Sequence, residues 1–520
     1  MIQFLGTSTV TERLIGMMKK TSWFNGLSLW ALVALAILRY GVAPCIAEPM
    51  DSLKELEQKV VRFELSNGLK VVFFHRDSAP VFSAQIWVKV GGVNEVPGKT
   101  GLSHLLEHMA FKGSQSIGTK DFHQEEILLK ELYQIQEKLR ADRNPSLQEQ
   151  AETIKGKLNK LWVSDEFSRV YQRQGGSGLN AGTSKDYTFY TVKLPSVAFE
   201  LWCQLESDRL TNPVFRQFYE EVDVVKEERR MRVEDSPTGS LYEALLSTAY
   251  WSHPNRLPVV GWMKDLDNLR VEDLAALHKT YYRPDNMVLA LVGDLQEQEA
   301  RIMLEKYFGP IPKGVGEVPK VLSVEQKQQG ERTSVVEYDA QPEIMIGFHK
   351  PVYPDADDAR FAVVHAILAG GRSSMLERKL VEETQLALAV DTGEAPGQLY
   401  PSLFYVHAVP SPGVSVDRLK DAVVSVLDGL KTTPVTEAEL TAAKRRVRVE
   451  FLSTLTSLYG LSKMLAEAEL FWGDWRSLVE IYKTVEDTSI EDVSRLAATY
   501  FKRDNRTYVY LASPDHAAQK

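Results

Sequence analysis

Cysteine is almost absent from this chain: it has two in 520 residues, Cys45 and Cys203. Cys45 lies within a segment that reads as an export signal, so the mature chain would keep one thiol and form no internal disulfide. A lone thiol is a poor basis for a metal centre, which leaves histidines and carboxylates as the available ligands. Long apolar runs are scarce too. The clearest one, Leu27 to Leu38 broken only by Ser28, is shorter than the ~20 residues that span a bilayer. It follows Lys19 and Lys20 and precedes small residues ending at Ala47, the order of a secretory signal over residues 1–47. The expectation is an exported protein of the bacterial periplasm, with an uncleaved N-terminal membrane anchor as the alternative. No stripe of Lys and Arg interleaved with aromatics occurs and the formal net charge is −9, so nucleic acid is set aside as a partner.

A chain of this length is expected to hold more than one domain, and an internal repeat shows how they are arranged. Val271 to Leu277, then Tyr281 to Asn286, leads into the apolar Met287 to Val292. Near the end, Ile490 to Val493 with Leu496, then Tyr500 to Asn505, leads into Thr507 to Leu511. Each reads as an amphipathic helix, an Asp-Asn turn and a buried strand. A fainter match pairs Ser103 to Gly113 with Ala359 to Gly370. The first copy is longer between its landmarks by roughly forty residues, and the polar stretch at about 124–173 accounts for the excess. There Leu128, Leu132, Ile135 and Leu139 share one helical face, Asn144-Pro145 interrupts, and Ile154, Leu158 and Leu161 resume the pattern. This reads as a helical hairpin inserted as a solvated spacer. Strands are expected at 63–71, around an Asn67-Gly68 turn, and at 81–90. The fold class is therefore α+β: two tandem duplicated domains, each a mainly antiparallel sheet with helices packed on one face. The first domain covers 51–309, the segment 310–332 is a linker, and 333–520 forms a second domain without the metal motif.

The chemistry is concentrated in His104-Leu105-Leu106-Glu107-His108. On a helix, this spacing puts both imidazoles on one face a turn apart, able to grip one ion. Leu102, Leu105, Leu106 and Met109 supply the buried side, and Thr100 is the expected N-cap. Glu107 lies within reach of the same face, where a carboxylate beside zinc takes a proton from metal-activated water. A catalytic zinc needs a third protein ligand and an open position. The acidic helix from Glu220 to Glu228 offers candidates: Glu221 and Glu228 are two turns apart on one face, so one can ligate while the other holds a ligand from behind. A plain solvated acidic face is the competing reading.

With these residues in place, the chain resembles the pitrilysin/insulinase family of zinc peptidases, the inverted-zincin group. Gly101 to Ser114 resembles the family signature throughout, Leu179 to Tyr190 resembles its NAxTSxDxTxY strand, and Glu221 to Glu228 resembles its E-x-x-V-V-x-E-E helix. His253-Pro254 and Tyr282 to Gly293 also fit. The resemblance implies duplicated α+β domains and a zinc peptidase with Glu107 as general base. It implies His104, His108 and Glu228 as metal ligands, with Glu221 as support. It also implies that substrate adds as a strand beside Asn180 and Ala181, a mode that reads peptide backbone and suits extended chains.

Two features depart from the family pattern. The interval between His108 and Glu228 is long, as the insertion requires. The Arg and Tyr that stabilise the oxyanion in the family's later half align with Val381 and Leu388, neither of which donates a hydrogen bond. Losing such a donor costs ~3 kcal/mol of transition-state stabilisation. The resemblance then implies a half-enzyme: this chain holds Zn2+ and a homologous subunit supplies the Arg and Tyr in a heterodimer, with a homodimer as the other arrangement. A non-catalytic scaffold of peptidase descent is the alternative from a different class, and an unrelated zinc hydrolase is a third.

Overall fold

The computed structural model describes residues 49–513; the expected signal or anchor at 1–47, and Cys45 with it, lie outside them. The chain divides into Met1–Ser52 and Leu53–Lys520. Of the first unit only the opening of the helix Pro49–Lys59 is described. Among the described residues no helix is long and apolar enough to cross a membrane.

Six strands form the first sheet: β1 (Val60–Glu64), β2 (Lys70–His75), β3 (Val81–Val88), β4 (Ser177–Thr183), β5 (Thr188–Pro195) and β6 (Met287–Gly293). Their order is β1-β2-β6-β3-β5-β4, parallel only between β2 and β6. The second sheet holds β7 (Arg332–Glu337), β8 (Ile344–Lys350), β9 (Ala387–Ala395), β10 (Ser402–Pro410) and β11 (Arg506–Ala512) in the order β7-β11-β8-β10-β9, parallel only between β7 and β11. From β2 onward the two orders superimpose term by term. The repeat read from sequence occupies equivalent places. The helix Val271–Tyr281 feeds β6 and the helix Ile490–Tyr500 feeds β11. In each turn an asparagine amide closes back on the helix end, Asn286 Nδ2 to the Tyr281 carbonyl and Asn505 Nδ2 to the Tyr500 carbonyl, both at 2.9 Å. This is the duplicated, mainly antiparallel α+β architecture expected.

The strands show more than helices on one face. In a strand, successive side chains point to opposite faces. Val71, Phe73, Leu289 and Leu291 enter the core beneath the domain's own helices, while Val72, Phe74, Val288 and Val292 enter a second core on the far face. That far face is covered by the helix Leu458–Trp472 from the second half, through Leu461, Leu465 and Ala468. Its Ser462 hydroxyl meets Ser83 at 2.9 Å and accepts from Gln85 Nε2 at 3.2 Å, matching the sheet's two polar side chains there. Reciprocally, Leu241, Leu245 and Ala249 of the first half's helix Pro237–Ala249 pack on Met345, Leu403 and Val509 of the second sheet. Each half lends the other one helix, because strands apolar on both faces must be buried on both.

The stretch at 124–173 folds as the helices Phe122–Ala141, Pro145–Leu161 and Glu166–Arg173. It is not the solvated spacer expected from its polarity. Leu129, Leu132, Ile135, Ile154 and Leu158 close a core of their own that reaches Val214 of the body.

Candidate metal centre

His104, Glu107 and His108 lie on the helix Leu102–Met109, whose remaining side chains Leu102, Leu105, Leu106 and Met109 are buried in the first core. Thr100 does not cap this helix, contrary to expectation; its hydroxyl donates to Asp265. The cap is the buried carboxylate of Glu95, which accepts from the backbone N–H groups of Gly101 (2.7 Å) and Ser103 (2.6 Å). A carboxylate at a helix start meets both the unpaired donors and the positive end of the dipole. Glu95 therefore fixes the turn that carries His104, a role sequence spacing alone does not reveal.

Glu221 and Glu228 share one face of the helix Phe218–Arg229, and that face meets the imidazoles. His108 Nε2 lies 3.2 Å from Glu228 Oε2, and His104 Nε2 lies 3.7 Å from Glu228 Oε1. The donor atoms of His104, His108 and Glu228 all fall within 4.8 Å of one another. For tetrahedral zinc with bonds near 2.0–2.1 Å, neighbouring ligand atoms stand roughly 3.4 Å apart. The residues present thus fit a divalent ion without rearrangement of the helices. Glu221 stands behind: His108 Nδ1 donates to its Oε1 at 2.9 Å, and Lys112 Nζ lies 2.6 Å from its Oε2. This bond through Nδ1 leaves Nε2 of His108 facing Glu228.

The electrostatics agree. Burial, helped by the neighbouring His108, pulls His104 down to about 4, so its imidazole is neutral and its lone pair free. Burial also opposes a charge on His108, but hydrogen bonds to Glu221 and Glu228 outweigh it and push the ring up to about 9. Burial disfavours the Glu228 carboxylate as well, yet the His108 hydrogen bond and the nearby His104 and Arg232 hold it down at about 2. Two carboxylates pulling a positive charge onto one ring make the field a divalent cation would meet. Arg232 Nη2 sits 2.7 Å from Glu228 Oε1, in the widened helical turn Arg230–Glu234 that follows the helix.

Glu107 is 9% exposed, and burial raises its pKa against the opposing hydrogen bond from Thr183. Thr183 Oγ1 donates to Glu107 Oε2 at 2.9 Å. Thr183 ends β4, the outermost strand of its sheet, where Asn180 and Ala181 pair with Thr191 and Tyr190 of β5 and, among the described residues, no strand pairs with their other edge. The candidate base and the candidate substrate edge are therefore joined by one side chain, which the sequence offered only as part of the NAxTS-like string. In the second sheet, Leu388 stands 52% exposed on β9, also an edge strand, and Val381 packs against the core that Ile344, Ile346, Phe404 and Val406 of that sheet form with its own helices.

Residues 70–129 and 158–261 match the family model described as insulinase (peptidase family M16), and residues 268–447 match the peptidase M16 inactive domain. The chain is 28% identical over 454 residues to the zinc protease PqqE of Helicobacter pylori, spanning 86% of this chain and 91% of that protein. It is 22% identical over 456 residues to the uncharacterized zinc protease YmxG of Bacillus subtilis, spanning 86% and 96%. The crystal structure of a protease from Helicobacter pylori matches with a TM-score of 0.75 at 28% identity, covering 87% of this chain and 99% of that one.

Proposed function

The chain belongs to the insulinase family of peptidases, M16, and on that premise we propose that it is a zinc-dependent endopeptidase acting on unfolded or extended peptides. The observation that carries this reading is the meeting of His104, His108 and Glu228 donor atoms within one ion's reach, with Glu107 beside them. His104, His108 and Glu228 would hold the metal. When bound, zinc lowers the pKa of a coordinated water towards 7 and polarises the scissile carbonyl. Glu107, its Oε2 held by Thr183 and its pKa raised by burial, takes the proton from the attacking water and delivers it to the leaving amine. Glu221 keeps His108 oriented through Nδ1. The open edge of β4 at Asn180 and Ala181 receives the peptide as an added strand, held through its backbone hydrogen bonds.

Val381 and Leu388 stand where the family's Arg and Tyr are expected, and neither stabilises an oxyanion. A homologous subunit with those two residues completes the site in this reading, as a heterodimer; a homodimer, the other arrangement, carries Val381 and Leu388 in both copies and leaves the oxyanion without them. The test is hydrolysis of a quenched fluorescent peptide by the purified chain, alone and mixed with a homologous chain carrying Arg and Tyr. Activity only in the mixture is expected; full activity of the isolated chain refutes the partner requirement. No zinc bound after purification, with no hydrolysis in either case, favours the non-catalytic scaffold. Export to the periplasm, with residues 1–47 as the signal, belongs to the same proposal. Cell fractionation and N-terminal sequencing of the mature protein check it.

A further inference from the structure

The helical hairpin lies in sequence between the two helices that carry the candidate ligands, and the insulinase family match skips its residues 130–157. It takes no part in the chemistry above, yet its docking is elaborate. Glu125, on the first hairpin helix, is 0% exposed and accepts from Arg216 Nε at 2.6 Å and Nη2 at 2.9 Å, and from Trp162 Nε1 at 2.7 Å. Arg216, 2% exposed, sends its remaining hydrogens to backbone carbonyls: Nη1 to Lys112 (3.1 Å) and Ile117 (3.0 Å), and Nη2 to Ser114 (2.6 Å). Every donor of the guanidinium has an acceptor. Gly113 and Gly118, both at positive φ, make the room. A Cβ on either would collide with the backbone across the loop and stand 3.3 or 3.1 Å from Arg216 Nη1.

These groups join three segments. Lys112 to Ile117 follows directly on the helix Leu102–Met109, and Lys112 itself holds Glu221. Arg216 leads into the helix Phe218–Arg229, which bears Glu221 and Glu228. Glu125 belongs to the hairpin. A second grip lies alongside, where Tyr133 Oη donates to the Phe215 carbonyl at 2.6 Å. Lys155 reaches Glu220 only at the surface, at 3.1 Å.

We infer that the hairpin braces the metal centre: Glu125, through Arg216, sets how the Glu228 helix approaches the His104–His108 helix. Glu125, Arg216 and Tyr133 are positioning residues, and the inference rests on the zinc reading. Without its carboxylate, the buried guanidinium must find solvent or another partner, and either shift moves both segments it ties. The hairpin then explains how a long insertion between ligands leaves the site intact: the inserted residues hold the two helices together.

The test uses the purified full chain. Zinc affinity is measured by competition with a chromogenic chelator, and the cobalt-substituted chain gives a visible d–d spectrum that reports ligand geometry. Glu125→Gln is expected to weaken zinc binding about tenfold to a hundredfold and to alter the cobalt spectrum. Tyr133→Phe is expected to weaken it about threefold, and Lys155→Ala to leave both readouts unchanged. A folded Glu125→Gln chain with wild-type affinity and spectrum overturns the inference. So does an equal loss in Lys155→Ala, which marks general destabilisation. Where Glu125→Gln does not fold, Tyr133→Phe decides, and an unchanged affinity and spectrum overturns it. A wild-type chain that binds no zinc overturns the zinc reading and the brace together, whereas tight wild-type binding with unaffected variants overturns the brace alone.

Discussion

Replacing Glu221 by glutamine probes the support behind His108 with little change of shape. Glu221 Oε1 accepts from His108 Nδ1 at 2.9 Å while Lys112 Nζ lies 2.6 Å from Oε2, and its side chain is 11% exposed. In Glu221→Gln the amide oxygen still reaches His108, but the charge that makes the imidazole a better donor to zinc is gone, and the amide NH2 is turned towards the Lys112 ammonium. A hydrogen bond to a charged group contributes about 1.5–3 kcal/mol. Loss of a partner behind a ligand typically lowers metal affinity 10- to 100-fold. Both routes lead to ~2 kcal/mol, or about thirtyfold in zinc Kd. Titrating zinc against a chromogenic chelator at fixed pH and salt measures it, with thermal unfolding of the metal-free proteins as a check that the fold is unchanged. An affinity within threefold of wild type would refute the view that Glu221 tunes the site through His108.

Thr183→Val, assayed in the active complex, is expected to lower kcat about tenfold with KM and zinc affinity unchanged. Thr183→Ser should restore it, and a Val variant as fast as wild type would remove Thr183 from any role in orienting Glu107. Leu465, 0% exposed on the helix lent to the first sheet, should cost about 3 kcal/mol when replaced by alanine, within the usual 2–5. Urea denaturation measures it, and a loss below ~1 kcal/mol would contradict the exchanged-helix core. His253 is 2% exposed, burial pulls it down to about 4, and its Nδ1 accepts from the Asn255 N–H at 3.1 Å. With an ordinary pKa of about 6.5 when unfolded, the unfolded chain binds more protons between those values. His253 thus contributes stability that is present above pH ~6.5 and lost as pH falls towards ~4. Unfolding followed across that window should show a shallower slope for His253→Gln, and an equal slope would rule the assignment out.

What was legible in the sequence is what local periodicity encodes. The four-residue spacing of His104 and His108 puts both on one helical face, and the seven-residue spacing of Glu221 and Glu228 does the same for the partner helix. The repeated helix, Asp-Asn turn and strand told of two copies, because each is a contiguous unit whose turn amide closes on its own helix. What the sequence hid depends on pairings between distant residues. Thr100 has the chemistry of a cap, but Glu95 reaches the helix start first because the intervening loop folds back over it. Leu461 and Leu465 announce a buried face without saying that it covers the other half's sheet. Glu125 and Arg216 are 91 residues apart in sequence, and nothing local to either marks it as the other's buried partner. Polarity along a chain marks where charges occur, and burial is decided by whether a complementary group arrives in space.

Two histidines one helical turn apart and a glutamate 120 residues further on hold one divalent ion in this protein, and its metal content decides whether they do. The purified full chain is dialysed to equilibrium against buffered zinc and the bound metal is counted per chain, beside Glu228→Gln prepared in the same way. About one zinc is expected in the wild type, with a loss of at least tenfold in affinity for the variant. A wild-type chain that binds none, or a Glu228→Gln chain that holds zinc as tightly as the wild type, would contradict it.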